Sequence, residues 1–262
     1  MFDLPDTASL VFVILFGLSA GSFLNVLIYR LPRRESVFFP GSRCPACNVP
    51  IRFHDNIPVL SFLFLRGRCR DCGTAISYRY PLVETVTALM IVGIFVIQGW
   101  TLDFVADSVF IVILTAAALI DLEHMIIPNR LNYPAILLGA LLTFRWGTTG
   151  FLRGFNGAIV GILILSFMYW LGKLIYRRDG VGMGDFKLAS AMGFFFGPFW
   201  TGVALILAVV IGGVIGMILM FAGRTARFQE VPFGPFISAG GLLVMFFRPQ
   251  ILFLVERYLS LL

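Results

Sequence analysis

Charged residues are scarce in this sequence. Only 13% of its 262 residues are Asp, Glu, Lys or Arg, whereas 59% are hydrophobic, and the mean hydropathy is +0.93. A soluble protein of this size could not bury so much apolar surface. The apolar runs are continuous and not alternating, which favours helices over a barrel as the way to satisfy the backbone within a bilayer. The composition therefore predicts an all-α polytopic integral membrane protein.

Histidine and several familiar catalytic motifs are also missing. The chain has only two histidines, His54 and His124, and it has no His-Glu-x-x-His sequence. A zinc metallopeptidase and a Ser-His-Asp hydrolase are therefore poorly supported. No Gly-x-Gly-x-x-Gly fingerprint follows a predicted strand, so a Rossmann-type cofactor site is not expected. The net charge of +6 usually reports loop orientation in a membrane protein, and we expect no nucleic acid partner.

Long apolar segments alternate with short polar breaks along the chain. Because a span needs about 20 apolar residues, the pattern predicts about eight transmembrane helices, with the division at Gly197-Pro198 the least defined. The predicted organisation is a first transmembrane helix over 1–31, a small cytoplasmic module over 32–80 and a transmembrane core over 81–262. The first residues lack a basic region, so we expect the first span to be retained and not removed as a signal peptide.

Lysine and arginine are distributed unevenly between the predicted loops. With the N-terminus outside, 15 of them fall on the cytoplasmic side and 4 on the other side, and Lys173 lies near the inner end of its span. Because cytoplasmic loops are enriched in these residues, we expect the polar module, Asp121 and Asp185 to face the cytoplasm. The cytoplasmic set is Arg30, Arg33, Arg34, Arg43, Arg52, Arg66, Arg68, Arg70, Arg79, Arg130, Arg177, Arg178, Lys187, Arg224 and Arg227. The opposite set is Arg145, Arg153, Arg248 and Arg257.

All four cysteines lie in the polar module, as Cys44-x-x-Cys47 and Cys69-x-x-Cys72. Two such knuckles present four thiolates to a tetrahedral zinc ion, and four thiolates leave no position for a catalytic water. Two disulfides or free thiols are the alternatives, and a cytoplasmic location disfavours disulfides. The spacing therefore predicts a structural zinc site, which would let the module fold with almost no hydrophobic core.

Two acids lie next to apolar segments, where an ionisable side chain is costly and is usually functional. Asp121 lies near the end of a helix that Pro128 terminates, and Asp185 opens a helix after the glycines at 182 and 184. Paired carboxylates can share one proton, so that one activates a water while the other acts as an acid. We therefore predict an aspartic peptidase site. The different helix ends suggest the hypothesis that Asp121 holds the shared proton.

Other interpretations of the same residues stay open at this point. Asp121 and Asp185 could be ordinary helix-capping residues exposed to solvent. A proton- or cation-coupled membrane transporter would use the same acids, although transporters usually place them near the middle of the bilayer. A non-enzymatic membrane assembly scaffold would use the cysteine module to recruit a partner. Small residues four apart, at Gly17/Gly21, Gly157/Gly161 and Gly212/Gly216, predict close helix packing and no chemistry.

Several motifs occur together along nearly the whole chain, and in combination they are highly specific. They resemble, in order, those of the type IV prepilin peptidase family, the bifunctional prepilin leader peptidases and N-methyltransferases of type IV pilus and type II secretion systems. The matching segments are Gly21-Ser22-Phe23-Leu24-Asn25-Val26, Tyr29-Arg30-Leu31-Pro32, the four cysteines, Asp55-Asn56-Ile57-Pro58-Val59-Leu60-Ser61, Arg66-Gly67-Arg68-Cys69, Arg79-Tyr80-Pro81-Leu82-Val83-Glu84, Ile120-Asp121, Ile127-Pro128, Gly182-Met183-Gly184-Asp185-Phe186-Lys187 and Pro232-Phe233-Gly234-Pro235-Phe236.

The resemblance implies an intramembrane-type aspartic endopeptidase with Asp121 and Asp185 as its catalytic residues. Its substrates would be prepilins and pseudopilins, whose basic leader is removed at the cytoplasmic face of the bacterial inner membrane. The new N-terminal residue, often Phe, would then be N-methylated with S-adenosylmethionine as methyl donor. The tetracysteine module marks the bifunctional type. Membrane lipid and pilus or secretion assembly machinery are the further partners implied. The methyl donor is expected near Asn25, Gly67, Arg68 and Glu84.

Overall fold

A computed structural model describes residues 6–176, 181–222 and 231–260 of the chain. Within these ranges the regular structure is helical, apart from two isolated β-bridges, so the predicted all-α class is confirmed. Four arginines of the orientation argument, at 177, 178, 224 and 227, lie outside the described residues. The α-helices are α1 (Thr7–Arg30), α2 (Leu60–Phe64), α3 (Arg79–Gln98), α4 (Leu102–His124), α5 (Asn129–Phe144), α6 (Gly147–Tyr176), α7 (Met183–Phe221) and α8 (Gly234–Leu259), and a short 3-10 helix covers Phe53–Asn56.

Six of the described helices, α1, α3, α4, α6, α7 and α8, are long and apolar enough to cross a membrane. The chain is therefore a multi-pass membrane protein. Helix α5 has only 16 residues. Helix α7 has 39 residues and is interrupted at Gly197, where φ is 75° and the following Pro198 has no N–H to donate. The figure of about eight spans stays a prediction, because it depends on α5 and on whether the two parts of α7 each cross.

The chain divides into two compact units, Met1–Val112 and Ile113–Leu262. In the first unit α1 packs along α3. A Cβ atom added at Gly17 would lie 2.7 Å from Cα of Ala88, and one added at Gly21 would lie 2.6 Å from Cα of Glu84. Because no side chain fits at either position, these glycines let the two backbones touch, and the predicted close packing is confirmed here.

In the second unit α7 packs against α5, α6 and α8. Added Cβ atoms at Gly157 and Gly161 of α6 would lie 2.3 and 2.8 Å from carbonyl oxygens of Gly193 and Ala189 in α7. The predicted packing is therefore confirmed for this pair as well. In the third predicted pair, a Cβ at Gly212 would lie 3.0 Å from the ring of Phe236, whereas one at Gly216 would meet none of the described residues within 4 Å, so close packing is found at the first glycine.

Candidate active site and metal centre

Asp121 lies in the last turn of α4, and only 6% of the residue is exposed. Its Oδ2 accepts a hydrogen bond of 2.9 Å from the backbone N–H of Gly234, the first residue of α8. The first N–H groups of a helix have no partner within their own helix and carry partial positive charge. The N-terminus of α8 therefore stabilises a buried carboxylate at the end of α4.

Asp185 is the third residue of α7 and is 7% exposed. Its Oδ2 accepts a hydrogen bond of 2.9 Å from the N–H of Gly182, so the side chain reaches back to cap its own helix. Both carboxylates thus face N–H groups at helix N-termini. Asp121 lies near the end of α4 and Asp185 at the start of α7, as expected, but Asp121 also faces the start of α8, so the hypothesis that Asp121 holds the shared proton stays a prediction.

The surroundings of the two acids are connected. The side chain of Ile127 lies against the backbone beside both acids. A Cβ added at Gly184 would lie 2.9 Å from Cβ of Ile127, and one added at Gly234 would lie 3.0 Å from its Cδ1. Two buried carboxylates held around one side chain in this way are candidates for a pair that shares a proton and activates a water.

Helix α5 holds the turn that precedes Asp185. The fully buried Asn132 donates from Nδ2 to the carbonyl oxygen of Gly184 over 3.2 Å. Lys187 donates from Nζ to Oδ1 of Asn129 over 2.6 Å, and its Nζ lies 4.9 Å from the ring centroid of Tyr133. These contacts of Lys187 are with α5, so this lysine joins α7 to α5.

The four cysteines of the first unit come together as the sequence predicts. The Sγ atoms of Cys44, Cys47, Cys69 and Cys72 all lie within 4.8 Å of one another, and those of Cys44 and Cys72 are 3.8 Å apart. With Zn–S bonds of about 2.3 Å, the edge of a tetrahedral four-thiolate site is about 3.8 Å. The donor set and its spacing therefore fit a closed, structural zinc ion.

The two knuckles repeat the same backbone pattern 25 residues apart. In each, the residue four after the first cysteine has a positive φ, 58° at Asn48 and 71° at Gly73, and donates its N–H to that cysteine's carbonyl. Asn and Gly are the residues that most readily adopt this conformation. Bridges between Arg43 and Pro50 and between Arg68 and Ala75 close the two turns.

Hydrogen bonds in the knuckles favour the thiolate form that binds metal. The backbone N–H groups of Cys47 and Ala46 lower the pKa of Cys44. The hydroxyl and backbone N–H of Thr74 lower the pKa of Cys72 to about 6. Two of the four sulfurs are thus prepared by the protein to coordinate a cation.

The chain is similar in sequence to a known family of membrane peptidases. The sequence model of the bacterial peptidase A24 N-terminal domain matches residues 15–98, and that of the type IV leader peptidase family matches residues 108–217. A prepilin leader peptidase/N-methyltransferase of Myxococcus xanthus (strain DK1622) is 38% identical over 231 residues, which cover 86% of this chain and 68% of the relative. The chain belongs to the type IV leader peptidase family.

Other relatives of the same name support this membership in the type IV leader peptidase family. The protein of Aeromonas salmonicida (strain A449) is 36% identical over 270 residues, covering 93% of this chain and 91% of its own length. That of Dichelobacter nodosus is 36% identical over 277 residues, covering 95% of each chain. No solved structure matches the chain. The resemblance inferred from the motifs is confirmed, and the comparisons give no support to the transporter or scaffold interpretations.

The residues expected near a methyl donor in this family mostly serve the fold. Asn25 donates from Nδ2 to the carbonyl of Tyr80 over 3.2 Å, and Oε2 of Glu84 accepts from the N–H of Val59 over 2.7 Å. Val59 has φ of 61°, which is strained for a β-branched residue, so Glu84 stabilises an unusual start to α2.

The other two members of that set belong to the second knuckle. Gly67 has φ of 67°, donates to the carbonyl of Phe62 and accepts from the N–H of Ile76. Arg68 forms one of the two bridges and keeps an exposed side chain. Polar groups of three of the four expected residues are engaged within the chain, and the assignment of this set to a methyl-donor site stays a prediction.

Sequence reasoning missed three residues that hold the acids: Gly234, Ile127 and Asn132. The first two stand in motifs that carried the resemblance, but nothing in their residue type indicates which acid they contact. The N–H of Gly234 lies 113 residues from Asp121, and Asn132 lies 52 residues from the carbonyl it binds. A helical pattern places Asn132 one turn after the loop, and that alone does not distinguish a buried amide from an exposed one.

Proposed function

We propose that this chain is a prepilin leader peptidase with N-methyltransferase activity, in which Asp121 and Asp185 are the catalytic acids. The observation that carries the proposal is the pair itself. Two buried carboxylates, each held by a helix N-terminal N–H, lie on either side of Ile127 in a member of the type IV leader peptidase family. Relatives named prepilin leader peptidase/N-methyltransferase cover most of the chain, which supports prepilins and pseudopilins as its substrates.

Hydrolysis by such a pair needs one ionised and one neutral carboxyl group. The ionised carboxylate removes a proton from water as the water oxygen attacks the scissile carbonyl carbon. The neutral carboxyl gives its proton to the carbonyl oxygen, which forms a tetrahedral diol. As the C–N bond breaks, the carboxyl that took the water proton passes it to the leaving amine, and one diol hydroxyl returns its proton to the other carboxylate. The two N–H groups that hold Asp121 and Asp185 keep both carboxylates oriented throughout, so little reorganisation is needed in the transition state.

Zinc has a structural role in this proposal. Cys44, Cys47, Cys69 and Cys72 would hold the ion and fix the two knuckles, and the closed shell leaves it no place in the hydrolysis. The purified protein is expected to contain about one zinc per chain by elemental analysis. Cys44→Ser should lower that ratio, and an unchanged ratio would place the zinc elsewhere.

Methyl transfer to the new N-terminal amine is proposed from the names of the relatives, with S-adenosylmethionine as the donor. When bound, that donor supplies an activated methyl group on a sulfonium centre. Asn25, Gly67 and Glu84 make contacts within the chain, and these contacts do not indicate how the donor would be bound. Glu84→Gln keeps an acceptor for the Val59 N–H but removes the charge. Methylation lost in this variant with zinc retained would assign the carboxylate a direct role.

The orientation is part of the same proposal. The module carries an excess of arginine, so by the positive-inside rule we expect the module, Asp121 and Asp185 to face the cytoplasm. The family implies the bacterial inner membrane as the location. Protease added to inside-out membrane vesicles should cut the module between Arg66 and Arg70 after chelation of zinc. Cleavage only in right-side-out vesicles would reverse the topology.

A cleavage assay tests the central claim. The protein in detergent would receive a synthetic prepilin N-terminal segment, with and without S-adenosylmethionine, and mass spectrometry would follow the leader and the mature fragment. We expect cleavage by the wild type, none by Asp121→Asn or Asp185→Asn, and a methyl group on the product amine only when the donor is present. Cleavage that persists in both folded variants would refute the assignment of the acids.

A further inference from the structure

Asn132 has an unusual environment for an amide side chain. It lies in the first turn of α5 and has no exposed surface. Its Nδ2 donates to the carbonyl oxygen of Gly184, which is the acceptor immediately before Asp185. Buried polar side chains in proteins are normally retained where they satisfy a specific partner. Here the partner is the peptide group that joins Gly184 to Asp185.

The second polar atom of this side chain shows which contact matters. Oδ1 of Asn132 is buried and, among the residues that the structure describes, receives no hydrogen bond. Reversing the amide would bring Oδ1 against a carbonyl oxygen, and two acceptors cannot bond each other, so the orientation of the amide is fixed. An unsatisfied buried acceptor is costly, and leucine would fill the same volume without that cost. The amide is therefore explained by its donor.

Three contacts converge on the turn that carries Asp185. The N–H of Gly182 binds its carboxylate, Ile127 packs against Gly184, and Asn132 holds the Gly184 carbonyl. The first fixes the side chain and the other two fix the backbone from which it projects. We infer that Asn132 is a positioning residue, which sets the Gly184–Asp185 peptide plane and so directs the Asp185 carboxylate toward its partner acid. This inference rests on the proposed peptidase function.

Two substitutions of Asn132 separate positioning from packing. Asn132→Leu keeps the volume and removes the donor. Asn132→Ala removes the donor and adds neither bulk nor an ionisable group. A matched control is Thr201→Val, because Thr201 is also fully buried and donates 2.7 Å to a glycine carbonyl, that of Gly197, at the break in α7. All three changes remove one buried hydrogen bond to a glycine carbonyl.

Prepilin cleavage kinetics and thermal unfolding in detergent would be measured for the wild type and all three variants. We expect kcat to fall about 10- to 100-fold in both Asn132 variants with KM changed by less than about twofold, because a displacement of 1 Å in a catalytic group costs about that much. Thr201→Val should lose as much thermal stability and keep the wild-type kcat. If Asn132→Leu unfolds, the smaller alanine variant decides the question.

The outcomes are distinguishable from failure of the proposed function. A wild type that does not cleave, under conditions in which it is folded, refutes the peptidase and with it this inference. An active wild type together with a folded Asn132→Ala or Asn132→Leu that retains full kcat refutes only the inference. An equal loss of kcat in Thr201→Val would show that general loosening of the helices, and not the position of Asp185, limits the rate.

Discussion

Replacing Gly234 by alanine is the most direct perturbation of the acid pair. The new Cβ would lie 2.8 Å from Oδ2 of Asp121, whereas ordinary van der Waals contact begins at 3.4 Å. The carboxylate would therefore retreat by about 0.6 Å, and its 2.9 Å hydrogen bond to the Gly234 N–H would lengthen to about 3.5 Å, beyond the usual range. The change acts on Asp121 without altering any ionisable group.

The expected effect on the rate follows from this displacement. If 1 Å of misplacement costs about 100-fold, 0.6 Å corresponds to about 15-fold in kcat, or about 1.6 kcal/mol of barrier. Stability should change little, because alanine is a better helix former than glycine, which offsets part of the strain. The loss should appear in kcat and not in KM, since the scissile bond is still bound but attacked less often.

Cleavage of a synthetic prepilin segment under saturating conditions would measure this loss. Gly213→Ala is the matched control, because a Cβ there would meet nothing within 4 Å and the residue lies in α7, away from both acids along the chain. The control should keep the wild-type kcat. A folded Gly234→Ala protein with unchanged kcat would show that the Gly234 N–H does not position a catalytic carboxylate, and the proposed role of Asp121 would need revision.

Two further predictions concern packing and the metal centre. In Gly193→Ala the new Cβ would lie 2.1 Å from the backbone N of Ala158, so α6 and α7 must separate. The free energy of unfolding in detergent should fall by about 1–3 kcal/mol or more. A wild-type melting temperature would contradict the close approach of the two helices. In a short pulse of iodoacetamide at pH 7 given immediately after zinc is chelated, before the module unfolds, Cys72 should be modified first, because its pKa of about 6 leaves mostly thiolate, and that rate should fall as the pH drops through 6. The Val49 N–H favours the thiolate of Cys47, but burial and the neighbouring thiols outweigh it and raise the pKa of Cys47 to about 12. Cys47 should therefore react last. Mass spectrometry that finds Cys47 modified before Cys72 would refute this prediction.

The parts of the molecule that the sequence predicts well are those whose signal is local. Continuous apolar runs predict the membrane helices, the double C-x-x-C spacing predicts the cluster of cysteines, and Pro128 and the glycines before Asp185 predict the helix ends where the acids lie. Each of these depends on residues within a few positions of one another. For that reason propensity and spacing alone suffice to find them.

The repeated turn in the two knuckles was only partly predictable. The cysteine spacing is visible in the sequence, but the left-handed residues are Asn48 in one knuckle and Gly73 in the other, so the two copies look different. The backbone pattern explains the difference, because both residue types tolerate that conformation. Gly67 and Arg68, at the start of the second copy, take part in the same backbone pattern.

The contacts that hold the acids could not be predicted from residue types, because the donors are backbone N–H groups that every residue except proline carries. Asp121 is bound by the N–H of Gly234 and Asp185 by that of Gly182, so the sequence shows only two glycines. Removing a side chain cannot remove such a donor, and an alanine scan of polar residues would therefore pass over both. Adding a methyl group at Gly234 displaces the carboxylate instead. The site should thus tolerate many deletions of neighbouring polar side chains but few additions at its glycines, with Asn132, the side chain that binds the Gly184 carbonyl, as the exception.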